Sequence, residues 1–211
     1  MSERNLSIFQ INPVSQHFAF DLICDVFVTN SVLHRALQIT PEEYRDYAAP
    51  WFELIVKQGF SVVAMDKNTQ QVAGCLLACD YANQVSNPAT VPEKMRPLSA
   101  ILTQLDHLYC QEEKPAIGEQ LLIDIAVVHP EFEGNGVYTR MRQYVQHLAR
   151  SAGFRLVVGE LSSAATQAVC VDKFRHKIFA EVKYDQFRFE GNAPFASISE
   201  PKGIQLVVGK L

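Results

Sequence analysis

Residues 121–152 read LLIDIAVVHPEFEGNGVYTRMRQYVQHLARSA, and this stretch decides the fold. Residues 121–128 are apolar apart from Asp124 and rich in branched side chains, as in a strand buried on both faces. Pro130 ends that strand, because proline cannot continue a ladder and restricts His129 before it. Gly134 and Gly136 flank Asn135, and apolar residues at helical spacing follow over residues 137–152, closed by Gly153. A glycine turn that opens a helix leaves the amides of Asn135, Gly136, Val137, Tyr138 and Thr139 without helical acceptors. Together with the helix dipole they form an anion site. The anion most often held this way is a phosphate, which points to a phosphate-bearing cofactor. The pattern is neither a dinucleotide fingerprint, since Thr139 stands where the third glycine belongs, nor a Walker loop, since no Gly-Lys-Ser/Thr follows.

Outward from this unit, the chain predicts alternating elements. Residues 6–11 read as a strand and residues 18–29 as a helix. Ser31 suits the N-cap of a short further helix. Thr40-Pro41-Glu42-Glu43 is a helix start, and that helix runs to about Gln58. Residues 60–65 and 71–79 read as a hairpin. Residues 81–118 look like an insertion with a leucine-type spacing over 99–110, suited to packing, to a homodimer contact or to bordering a substrate site. After the central unit come a strand at 156–161, a helix at 166–177, and strands at 179–189 and 203–211. A right-handed β-α-β crossover among antiparallel hairpins gives a mixed α/β sheet with helices on both faces.

The length of 211 residues fits a single domain. The net charge of −4, without a basic run, argues against nucleic acid as a partner. Apolar runs fall short of the ~18–20 residues of a membrane span, and the N-terminus is too polar for a signal peptide. The five cysteines are an odd number without paired spacing, which suits a reducing cytoplasm. No metal site is expected, and Cys75 and Cys79 read as packing. Tyr47, Trp51 and Phe52 also read as core.

The run Ile125-Ala126-Val127-Val128-His129-Pro130-Glu131-Phe132-Glu133-Gly134-Asn135-Gly136-Val137 resembles the coenzyme A motif of the GNAT acetyltransferase superfamily, and the order of elements over most of residues 1–211 resembles its fold. The hairpin around residues 61–74 and the stretches Tyr184-Asp185-Gln186-Phe187, Pro194-Phe195 and Gly203-Ile204-Gln205-Leu206 look like arylalkylamine- and polyamine-type N-acetyltransferases. The resemblance implies acetyl transfer from acetyl-CoA to the primary amine of a small acceptor of arylalkylamine or polyamine type, by direct attack. It implies that Ile125, Ala126 and Val127 pair with the pantetheine arm, and that Gly134, Asn135, Gly136, Val137, Tyr138 and Thr139 hold the pyrophosphate.

Several positions depart from that pattern. Glu131 and Glu133 replace Gln or Arg around the turn, leaving Arg140 and Arg142 to offset them. Asn30 replaces a glutamate base, and Phe174 with Ile178 replaces a Tyr and Gly at the usual acid. A non-catalytic acyl-CoA binder is therefore the alternative.

Amine acylation needs a base, because an amine of pKa ~10 is protonated near neutrality. Asp124, the one charge in an apolar strand, is the first candidate; it either faces a wet cleft or pairs with Arg155 or Lys177. Glu160, ending the next strand, suits gathering a cationic amine or is a plain strand-end charge. Thr166 and Cys170, four apart on a helix, resemble a serine pair of the arylalkylamine enzymes and are the remaining catalytic candidates. Tyr138, Cys170 or water replaces the missing acid.

Overall fold

The computed structural model describes residues 5–87 and 89–211; the polar residues 1–4, and Pro88 within the expected insertion, lie outside the described residues. The first strand, β1 (Leu6–Gln10), leads into α1 (Gln16–Leu22). A wider π-helical turn over Ile23–Phe27 then interrupts the helix expected at 18–29, and α2 (Val28–Asn30) follows. Ser31 caps α3 (Val32–Ala36) by accepting from the His34 amide. Thr40 Oγ1 accepts from the Glu43 amide while the Thr40 amide donates to Glu43 Oε2, at 3.2 and 2.8 Å. This reciprocal capping starts α4 (Pro41–Lys57) at the residue the sequence indicates.

The hairpin pairs β2 (Val62–Asp66) with β3 (Val72–Asp80). Asp66 Oδ1 closes its turn by accepting from the Asn68 and Thr69 amides at 2.7 and 3.2 Å. The expected insertion carries α5 (Arg96–Glu112), longer than the spacing at 99–110 suggests. Then come β4 (Gln120–Val128), α6 (Val137–Ser151), β5 (Leu156–Leu161) and α7 (Ala164–Ala168), with a π turn over Val169–Lys173 after them. Two strands finish the chain, β6 (Lys177–Lys183) and β7 (Gly203–Lys210).

Two boundaries correct the sequence reading. The helix expected over 166–177 ends by Lys173, and Lys177 already belongs to β6. The strand expected at 179–189 stops at Lys183. Beyond it Tyr184 and Phe187 turn inward against Phe195, with ring centroids 6.1 and 5.5 Å away. Their apolar spacing reflects loop residues plugging the core, not a pleat.

The seven strands form one sheet in the order β1-β2-β3-β4-β5-β7-β6, antiparallel except for β4 and β5. Helices α1 to α5 cover one face, where Cys75, Leu77, Leu122 and Ile125 join the core. Helix α6 covers the other through Val137, Met141, Val145 and Ala149, against Leu76, Leu121 and Ile123. Gly74 sets how close α6 lies. A Cβ there meets the Val127 carbonyl at 2.8 Å, Met141 Cε at 3.0 Å and Val137 Cγ1 at 3.2 Å.

Strand β4 is irregular along both of its edges. Pairing with β5 covers only residues 120–123, and Ile123 opposite Gly159 is its last rung. On the other side Leu77 faces Ile125 and Ala78 faces Ile123, so Asp124 is the extra residue of a β-bulge.

Replacing Gly74 by alanine pushes a methyl against a backbone carbonyl that the sheet holds in place. The expected cost is about 1–3 kcal/mol, read as a fall in Tm of roughly 2–4 °C per kcal/mol. An unchanged Tm in Gly74→Ala contradicts this spacing of α6 and β3.

Candidate active site at the split in the sheet

Asp124 and Glu160 are the first residues past the last β4–β5 rung, one on each diverging strand. Both line the same two cavities, which meet at these carboxylates together with Phe27, Ser31 and Ser162. Neither carboxylate has a hydrogen bond or ion pair among the described residues, and Arg155 pairs with Glu119 instead. Burial pushes the Asp124 carboxyl up to about 6. Burial, with the negative charges of Asp124 and Asp106, pushes Glu160 up to about 8. Near neutral pH the pair therefore holds one proton, favouring Glu160, and one negative charge, favouring Asp124.

The first cavity, of ≈ 560 Å³, follows β4 past the split. Ala126, Val127 and Val128 line it, on the strand edge that β5 has left unpaired. At its far end lies the glycine turn. Gly134 and Gly136 have φ of +73° and +71°. A Cβ on either meets nothing within 4 Å, so glycine is required there by backbone conformation and not by space. The amides of Gly134, Gly136, Val137, Tyr138 and Thr139 find no acceptor among the described residues. The Asn135 amide does not join them: it donates to the Phe132 carbonyl at 3.4 Å. Of the residues expected to hold the pyrophosphate, Asn135 alone has its amide taken up within the turn. Ile125 lines the second cavity and not this one.

The arginines expected to support an anion do not line this cavity. Arg140 Nη2 donates to the Leu6 carbonyl at 3.3 Å. Arg142 is 0% exposed and lies beneath the turn. It donates to the Tyr138 hydroxyl (3.0 Å) and to His176 Nδ1 (3.1 Å), and packs over the Phe174 ring. Burial and the Arg142 charge hold His176 down at about 4, so its ring is neutral and accepts. Gly159 and Gly209 make the room: added Cβ atoms lie 3.6 Å from the guanidinium and 2.3 Å from the His176 ring. Tyr138 accepts from Arg142, and its hydroxyl lies in hydrogen-bond contact with Cys170 Sγ at 3.2 Å. Cys170 is fully buried there and lines neither cavity. Thr166 lines the first cavity, with its hydroxyl tied to the Ser163 carbonyl at 3.0 Å. The π turn separates the two residues that the sequence places on one helical face.

The second cavity, of ≈ 370 Å³, lies between α3, α4 and α5. Tyr47 and Trp51 line it, correcting their reading as core, whereas Phe52 is core. Its charged lining is acidic throughout: Asp106, Asp124 and Glu160. His34, 4% exposed, contributes a ring held neutral by burial at about 4. Ser31 Oγ lies 2.9 Å from His34 Nδ1, and His34 Nε2 has no hydrogen-bond partner among the described residues. Sequence reasoning missed His34, Ser31, Asp106 and Ser162, because separate segments of the chain bring them together. The Ser31 cap signal was the one local hint.

No protein-family model matches the sequence, and no curated protein matches it. Solved structures do. The C-terminal condensation domain of Ebony, in complex with β-alanyl-dopamine, is 17% identical with a TM-score of 0.88, over 99% of this chain and 100% of that one. Arylalkylamine N-acetyltransferase 2 from Aedes aegypti is 15% identical with a TM-score of 0.78, over 98% and 99%. Drosophila melanogaster polyamine N-acetyltransferase, which catalyses formation of N-acetylagmatine, is 17% identical with a TM-score of 0.72, over 98% and 100%. At these identities the likeness is one of fold, and it agrees with a mixed seven-stranded sheet that splits after its one parallel rung set: this chain has the GNAT N-acyltransferase fold.

Proposed function

We propose that this protein is an N-acetyltransferase that moves an acetyl group from a pantetheine thioester of the acetyl-CoA type to the primary amine of a small cationic acceptor with an apolar or aromatic body. The observation that carries the reading is the meeting of two cavities at Asp124 and Glu160. One cavity has the unpaired strand edge and amide cradle that suit a thioester arm, and the other has an acidic, aromatic lining that suits an amine. The structures similar in fold include enzymes for arylalkylamines and for agmatine, which supports the acceptor class.

The residues fit an acyl-pantetheine donor. Ala126 and Val128, whose backbone groups alternate away from β3, offer them to its amides, and the amides of Gly134, Gly136, Val137, Tyr138 and Thr139 suit a phosphate. When bound, it supplies an activated acyl group. Asp106 and Asp124 draw the acceptor in as an ammonium ion, and the aromatic walls hold its body. Asp124, ionised near neutral pH, takes the amine proton directly or through a water molecule. Glu160, protonated at the same pH, holds a proton for the departing sulfur. Cys170 forms no covalent intermediate in this scheme, since its sulfur is sealed against Tyr138. Thr166 shapes the donor wall. The five free cysteines suit a cytoplasmic enzyme, and among the described residues no helix is long and apolar enough to cross a membrane.

Asn30 and Phe174, lacking the usual base and acid, favour the second reading, a non-catalytic acyl-CoA binder. Free-thiol release from acetyl-CoA with a panel of arylalkylamines and polyamines separates the two, and binding without release supports the second.

The carboxylates also set the pH behaviour. The rate rises as pH passes through about 6, where Asp124 ionises, and falls above about 8, where Glu160 loses its proton. Asp124→Asn lowers kcat/KM by about 100-fold or more and removes the acid limb; a variant that keeps both contradicts Asp124 as base.

Stability should move the other way. Folding raises the Asp124 pKa from 3.8 to about 6, so its ionisation destabilises the native state above about pH 4, fully so above 6. Asp124→Asn therefore melts higher than the parent at pH 8, and the two converge below pH 4. Melting curves at both pH values check this.

A further inference from the structure

We infer that the donor is preferred on a single-phosphate arm, a 4′-phosphopantetheine thioester, over the complete nucleotide of coenzyme A. This inference rests on the acyl-transfer reading and names the donor class for that site. Coenzyme A brings a diphosphate and a 3′-phosphate, about four negative charges near pH 7. The phosphodiester joining a phosphopantetheine arm to a protein brings one.

The donor cavity is built for the smaller charge. Among the described residues no Lys, Arg or His lines it, and its acidic lining is Asp124, Glu133 and Glu160. Glu133 immediately precedes Gly134, the first residue of the cradle. Glu131 also stands at the turn, holding the Gln71 side chain at 3.0 Å. The two arginines and the histidine nearest in sequence are committed elsewhere. Arg140 bonds the Leu6 carbonyl, and Arg142 is buried with Tyr138 and His176. His129 Nδ1 accepts from the Glu131 amide at 3.3 Å. What remains for an anion is a set of backbone amides carrying roughly half a positive charge. That set matches one phosphate, and each further phosphate adds repulsion from Glu133 without a cation to offset it. The unpaired edge of β4, by contrast, recognises the pantetheine amides whatever phosphate lies beyond them.

The test measures Kd for coenzyme A, dephospho-coenzyme A and 4′-phosphopantetheine at low and high salt. It is paired with kcat/KM for acetyl-CoA, free acetyl-4′-phosphopantetheine and the acetyl thioester of a holo carrier protein, using one amine. The expected result is binding of 4′-phosphopantetheine at least as tight as that of coenzyme A, with a gap of tenfold or more at low salt that narrows as salt screens Glu133. Dephospho-coenzyme A, with about the same two negative charges as free 4′-phosphopantetheine, binds within a few-fold of it and tighter than coenzyme A. Glu133→Gln tightens coenzyme A severalfold and leaves 4′-phosphopantetheine within twofold.

Coenzyme A binding tighter than 4′-phosphopantetheine, or a Glu133→Gln variant with unchanged coenzyme A affinity, overturns the inference. The two phosphopantetheine sources are told apart by rate. Equal kcat/KM shows that arm and phosphate alone are read, and a large advantage for the carrier-borne donor shows that its protein surface is read as well. Binding in the expected order without turnover of any donor upholds the donor class and refutes the transferase reading, so the two failures are distinct.

Discussion

The parting of β4 from β5 after Ile123 and Gly159 is the constraint on which the rest depends. A buried strand edge without partners is costly, since each orphaned backbone group forfeits a hydrogen bond. The sheet tolerates it because each strand stays anchored on its other side, β4 to β3 and β5 to β7. The bulge at Asp124 lies at the point of parting. By inserting one residue it shifts the alternation of β4, so Leu122 faces the α1–α5 side before it and Ile125 faces that side after it. The opening thus yields three things at once: an unpaired edge, a floor for two cavities, and two carboxylates at their junction.

Electrostatics divides the same region by depth. Among the described residues every charge that lines the two cavities is negative. The nearby guanidinium of Arg142 is buried under the turn, without a carboxylate partner among the described residues, on a tyrosine, a neutral histidine and an aromatic face. Burying a charge is expensive unless hydrogen bonds replace its water. Here two such bonds do so in part, and the guanidinium Nε has none. The cluster fixes Tyr138 in the first turn of α6, where the amide cradle begins. It thereby acts as a brace for the donor wall, while the acidic lining governs which ions approach.

Much of the fold was legible because local chemistry determines it. Thr40 and Glu43 announce α4, the two runs at 60–65 and 71–79 announce the hairpin, and Gly134 and Gly136 announce the start of α6. Legibility fails where apolar spacing has two physical causes. Tyr184 and Phe187 read as a strand yet plug the core from a loop, and Tyr47 and Trp51 read as core yet line a cavity. The π turn over Val169–Lys173 is invisible to a 3.6-residue period and turns Cys170 away from Thr166. Within the site, Asp124 stood out as a lone charge in an apolar strand, whereas His34 and Asp106 looked like ordinary helical residues.

The sequence by itself determined the central strand–turn–helix unit, the glycine positions of its anion cradle and the candidate carboxylate in β4. These arise from neighbours in the chain: alternation, capping and the need for positive φ. Only the tertiary structure decided that β4 and β5 separate one residue before Asp124 and Glu160, that Arg142 is buried beneath the turn while Glu133 faces the donor cavity, and that α3, α4 and α5 close over an acidic cavity. Those outcomes depend on which distant surfaces meet and how much water each group keeps, which no local pattern encodes.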